Sequence, residues 1–145
     1  MDNKIPPPIV TLFFGLCIYF SRPYFLEFSS MVLNLLSIIS FVAGVFVFVA
    51  AVSSFKKQKT TVNPILIEKA SSLVVNGIFK YSRNPMYLGM SFILLGLTFK
   101  FNLIGGLLFT SIFMFFITVF QIKPEEAAME KLFDQEWKDY TKNVR

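Results

Sequence analysis

MVLNLLSIISFVAGVFVFVAAVSSF, residues 31–55, is a run of 25 residues without one charge. Coiled as a helix rising 1.5 Å per residue it is about 38 Å long, enough to cross a hydrocarbon core of roughly 30 Å with tilt. Three further apolar segments accompany it. The first spans 8–28, with Pro8 suited to a helix start and Ser21-Arg22-Pro23 marking a snorkelling charge and a break near the far interface. The third, 86–99, is short, about 21 Å of helix by the same rise. It is expected to start in the interface and to form a hairpin with the fourth, 103–122, through Lys100-Phe101-Asn102. The expected fold class is therefore all-α integral membrane, with four transmembrane helices, a loop over 56–85 and a tail over 123–145, forming one domain, 1–145.

Composition agrees. Of 145 residues 54% are hydrophobic, 19 are Phe, and the mean hydropathy is +0.61; soluble domains of this length rarely carry so much apolar material in long runs. Ile9–Phe20 has the length of a signal core, but it follows three prolines, and Arg22-Pro23 stands where a small-residue cleavage site belongs, so no cleaved leader is expected. Cys17, the single cysteine, sits in an apolar segment and reads as a small buried hydrophobe. There is no histidine. The commonest metal ligand and neutral-pH base are thus missing, and no metal site is expected.

Placing both termini inside makes 12 of the 14 Lys and Arg residues cytosolic and leaves only Arg22 and Lys100 outside. The net charge of +5 then reports topology, with no nucleic-acid partner expected. The expected location is a multi-pass integral membrane setting, the inner membrane in a bacterium. Loop and tail share the cytosolic face.

On that face the chain places Gly77-Ile-Phe79-Lys-Tyr81-Ser-Arg83-Asn84-Pro85-Met86-Tyr87-Leu-Gly89, directly before the third apolar run. Charge and hydrogen-bonding groups crowded at an interface are costly without a polar partner. The tail opens Lys123-Pro124-Glu125-Glu126, and Met129, Leu132, Phe133, Trp137, Tyr140 and Val144 recur at helical spacing as one stripe of an amphipathic helix. At 100° per residue Glu126 projects within that stripe and Glu125 at its edge. Two readings of these acids stay open: solvated first-turn carboxylates complementing the helix dipole, or carboxylates turned inward onto a cationic or hydroxyl-bearing ligand. Arg83 is likewise either a headgroup anchor or a ligand-binding cation.

The pattern Leu73-Val74-x-x-Gly77-x-Phe79-x-Tyr81-x-Arg83-Asn84-Pro85-Met86-Tyr87-x-Gly89, followed one hairpin later by Glu125-Glu126 and then by Phe133 to Tyr140, resembles the isoprenylcysteine carboxyl methyltransferase and phospholipid methyltransferase group of integral membrane enzymes. The likeness covers Leu73–Arg145. It implies an S-adenosylmethionine-dependent methyltransferase acting on a lipid-like or lipid-attached, for example prenylated, acceptor at the cytosolic face. It further implies a cofactor site lined by Ser71, Ser72, Leu73, Val74, Phe79, Asn84, Pro85, Met86, Tyr87 and one or both of Glu125 and Glu126, with Tyr81 and Phe79 as walls. Arg83, Glu125 and Glu126 are the candidate catalytic residues. Asn84 stands where eukaryotic members carry histidine, and Gln121 where prenyl-protein enzymes carry an arginine associated with substrate. The second departure speaks against a prenylcysteine carboxylate more than against the cofactor.

The chemistry suits that cofactor. Aromatic faces attract a sulfonium, a Glu pairs an ammonium or ribose hydroxyls, and an Arg takes a carboxylate. Two rivals remain. An NADPH-dependent membrane reductase would need a 2′-phosphate site, for which Lys56–Lys59 is the only spare basic cluster. A non-enzymatic scaffold contacting anionic lipids through its basic loop would tolerate loss of Glu125 and Glu126. A homodimer is compatible with so small a bundle.

Overall fold

The computed structural model describes residues 5–57 and 72–144, and among these every regular element is helical. Helix α1 is Pro7–Ser21, α2 Met31–Lys57, α3 Pro85–Phe101, α4 Leu103–Ile117 and α5 Lys123–Asn143. Single 3-10 turns occupy Arg22–Tyr24 and Gly77–Lys80, and a π turn, Thr118–Ile122, joins α4 to α5 without a break. Ser71 and part of the loop, 58–71, lie outside the described residues.

Proline sets the helix starts. Pro7 and Pro85 each occupy a first turn, where a missing N–H costs no hydrogen bond, whereas Pro124 follows the π turn inside a continuous rod and interrupts its i→i−4 ladder. The same residue ends α1 early. The segment expected to run to residue 28 is helical only to Ser21, because Pro23 cannot continue the ladder and the chain tightens into a 3-10 turn, Phe25 N–H donating to the Arg22 carbonyl at 3.3 Å. The third segment is longer than expected, 17 residues or about 25 Å. The hairpin after it turns on Asn102, whose side chain accepts from Gly105 N–H at 2.9 Å and donates to Ser21 Oγ at 3.1 Å. That amide caps α4 and ties the hairpin to the end of α1.

α3 is the central helix. Its Tyr87, Met90 and Leu94 meet Val10, Phe14 and Ile18 of α1 and Phe113 and Ile117 of α4 in one buried cluster. Thr98 and Thr110 share a buried hydroxyl hydrogen bond of 3.1 Å between α3 and α4. α2 docks on the other side through glycines. A Cβ on Gly44 would lie 2.7 Å from the Gly89 carbonyl oxygen and 2.7 Å from Ile93 N, and one on Gly89 2.8 Å from the Gly44 carbonyl, so backbone meets backbone.

The outward faces of α2 and α4 stay apolar. Phe46 is 71% exposed, and Ile39 and Phe115 are similarly bare, a pattern that water penalises and lipid does not. Two helices, Met31–Lys57 and the continuous Leu103–Asn143 rod, are long and apolar enough to cross a membrane, while Pro85–Phe101 is apolar but shorter.

The tail is helical as expected, with one interruption. Asp134 takes φ 31°, ψ −98°, which bends α5 in its second half. Beyond the bend Trp137 and Val144 are buried, whereas Leu132, expected in the same apolar stripe, is exposed because the bend splits that stripe.

Gly44→Ala should lower stability by about 1–3 kcal/mol, since the added methyl strikes backbone atoms that have no room to move. Gly15→Ala, whose Cβ would meet only side-chain methyls, Leu97 Cδ1 at 3.2 Å and Leu94 Cδ2 at 3.8 Å, should be near neutral. Thermal unfolding in detergent separates the two.

Candidate functional site

The site is assembled where the segment before α3 meets the start of α5. Gly77 begins that segment with φ +65°, a conformation that costs glycine nothing and other residues strain. The turn it opens drives Phe79 into a second buried cluster with Val74 and Ala51, flanked by Phe55, Ile78 and Met86. Phe55 and Phe79 meet edge to face at 5.1 Å. The Phe79 carbonyl accepts from the Tyr140 hydroxyl at 2.6 Å, which latches the far half of α5 onto this turn. Burial raises the Tyr140 phenol to about 12, with the nearby Arg83 charge pulling the other way.

The next residues carry the polar groups. Ser82 Oγ accepts from Asn84 N–H at 3.2 Å, setting Asn84 as the residue before α3. Asn84 Nδ2 donates to Glu126 Oε1 at 3.1 Å, and Arg83 Nη1 pairs with the same oxygen at 3.3 Å. One helical turn on, the buried Tyr87 hydroxyl donates to Glu125 Oε1. Three residues around the start of α3 thus hold both acids of α5, across some 40 positions of sequence.

The two carboxylates differ in environment. Glu125 is pushed from the usual carboxylate range up to about 7, chiefly by burial. The Tyr87 hydrogen bond works in the opposite direction, and the neighbouring Glu126 charge adds a smaller push upward. Glu126 is held by a cation and an amide instead. Arg83 keeps one donor in reserve: its Nε is buried with no hydrogen-bond partner among the described residues.

The sequence-derived candidates divide accordingly. Arg83, Asn84, Tyr87, Glu125 and Glu126 come together as one polar cluster. Val74, Phe79 and Met86 come together as an apolar wall beside it, with Pro85 buried at the start of α3. Ser72 and Leu73 are half-buried in the stretch leading to that wall. Tyr81, expected as a wall, is 85% exposed and faces away, because the 3-10 turn ends there. Ser71 lies outside the described residues.

Two contributors, Ala51 and Phe55, were not legible beforehand, and Tyr140 was read only as part of the apolar stripe and the family pattern. Ala51 and Phe55 close the wall from α2, and Tyr140 braces the turn. The only sequence signal for Phe55 was its place just before the Lys56-Lys57 pair, where apolar helix meets interface. Gln121, marked as a departure, is buried in the π turn with Nε2 donating to the Ile5 carbonyl at 3.1 Å, and its Oε1 has no partner among the described residues. π turns often accompany functional positions.

The raised Glu125 fixes the sign of a pH dependence. Between about 4.5 and 7 the unfolded chain has lost this proton while the folded chain keeps it, so stability falls as pH rises through that window and levels off above it. In thermal unfolding across pH 4.5–8, wild type should lose stability relative to Glu125→Gln over that range. Parallel curves would contradict the assignment.

The family model described as phospholipid methyltransferase matches residues 32–136, from the start of α2 through the site to the second half of α5. Searches of curated proteins and of solved structures returned no match. With the greater part of its length matched, and with apolar helices that fit a membrane setting, the chain belongs to the phospholipid methyltransferase family, a family of membrane-associated methyltransferases.

Proposed function

We propose that this protein transfers a methyl group from S-adenosylmethionine to a lipid-like or lipid-attached acceptor, in a site at the cytosolic face of a four-span bundle with both termini inside. One observation carries the reading: Arg83, Asn84 and Tyr87 reach across to Glu125 and Glu126 and form a single half-buried polar cluster beside an aromatic wall. Charges are not gathered at an apolar boundary without something to bind.

The residues fit the cofactor's chemistry. Arg83 Nε, a buried donor with no partner among the described residues, suits the carboxylate of an amino-acid end. Glu126 and Glu125 suit its ammonium or ribose hydroxyls. Phe79 and Phe55 offer apolar rings toward which adenine or a sulfonium can pack. The cofactor, when bound, supplies an electrophilic methyl; the protein's part is to align donor and acceptor and to keep water out.

An amine acceptor must shed a proton on methylation. Glu125, whose proton affinity lies near neutrality, is the carboxylate suited to take it. Orientation is supported by charge: Lys56, Lys57, Arg83 and Lys123 gather at the site end of the helices, Arg22 and Lys100 at the other.

Calorimetric titration of S-adenosylmethionine and of its demethylated product into detergent-purified protein should show saturable binding. Arg83→Ala and Glu126→Gln should each weaken it at least tenfold, by removing a charge-assisted contact. No binding to the parent protein removes the function. Parent-like affinity in both variants removes the site, whereas a scaffold would bind neither compound.

A further inference from the structure

The opposite end of the bundle carries a second feature that methyl transfer does not use. Two cavities adjoin there and share Asn34, Lys100 and Phe101. One, of about 450 Å³, is an apolar groove between α2 and α3 walled by Ile38, Phe41, Val42 and Leu97. The other, of about 250 Å³, is polar and is bounded by Arg22, Glu27, Ser29 and Ser30. α3 runs about 25 Å from the Arg83–Glu126 cluster to Lys100, so this cleft is distinct from the site above.

Arg22 and Lys100 are the two cations that topology assigns to this end, 78 positions apart in sequence, yet both line the same small cavity. Lys100 Nζ donates to Asn34 at 3.1 Å, which uses one of its three N–H groups. The Arg22 guanidinium lies 4.9 Å from the Tyr19 ring centroid. Among the described residues neither cation is ion-paired with Glu27. Two cations and one carboxylate leave a charge of +1, the complement of one phosphodiester. A small anion has no use for the groove, and a free hydrocarbon chain has none for the cations.

We propose that the cleft binds one anionic phospholipid, its phosphate between Lys100 and Arg22 and one acyl chain along the α2–α3 groove. The two parts of the cleft match the two parts of such a molecule in polarity and in order along the membrane normal.

The test is native mass spectrometry of the full chain released from micelles containing equal amounts of phosphatidylglycerol and phosphatidylcholine with identical chains. One phosphatidylglycerol should be retained preferentially. Arg22→Gln with Lys100→Gln should cut its retention at least tenfold, whereas Lys100→Arg should preserve it. Val42→Trp, which fills the groove without altering charge at a position 60% exposed, should also reduce retention. Millimolar inorganic phosphate should not displace the lipid. Equal retention of both lipids, an undiminished adduct in the doubly neutralised variant, indifference to Val42→Trp, or displacement by phosphate would each overturn the proposal. Thermal unfolding of each variant verifies its fold, and the charge variants carry the test alone if Val42→Trp does not fold.

Discussion

Glu126 Oε1 receives both Arg83 and Asn84, and the geometry of the site depends on that junction. The Arg83 and Glu126 side chains are each only about a quarter exposed. An ion pair on an open surface contributes about 0–1 kcal/mol, whereas removing one partner from a largely buried pair leaves a charge that costs several kcal/mol. The pair therefore acts less as a source of net stability than as a constraint: α5 can leave α4 in only one direction that satisfies both charges. Tyr87 on Glu125 and Tyr140 on the Phe79 carbonyl apply the same constraint at two further points. The segment before α3, α3 itself and α5 are thereby held together.

The bundle beneath is organised by a different force. Lipid is as apolar as leucine, so burying side chains between membrane helices gains little over leaving them in lipid, and close packing and hydrogen bonds decide the docking. The Gly44–Gly89 crossing and the Thr98–Thr110 bond do this for α2 and α4 around α3. The π turn then changes the phase of the rod between α4 and α5, and it does so just before Glu125 and Glu126. Gln121, buried within it and bonded to the Ile5 carbonyl, ties the chain's beginning to the same region. Membrane packing and site geometry thus meet in a single turn of helix.

Helix positions were legible in the sequence because their causes are local. Charge-free runs, prolines at first turns and the basic residues at one set of helix ends are written residue by residue. The meeting of Arg83 with Glu126 was legible only through the resemblance to a family motif, since spacing alone left those acids open between first-turn carboxylates complementing the dipole and carboxylates turned inward onto a ligand. The exposed Tyr81 and the bend at Asp134 were not legible. Each depends on where a turn directs the chain once it is packed.

The sequence by itself determined which segments prefer lipid to water, where proline starts α1 and α3, and at which helix ends the basic residues collect, because hydrophobicity and backbone chemistry belong to single residues. Only the tertiary structure decided that burial would raise the proton affinity of Glu125 while Glu126 next to it is paired. The same holds for Arg22 and Lys100, far apart in the chain, which close on one cleft. A proton affinity and a binding cleft are properties of surroundings, and the surroundings of these residues come from helices distant in sequence.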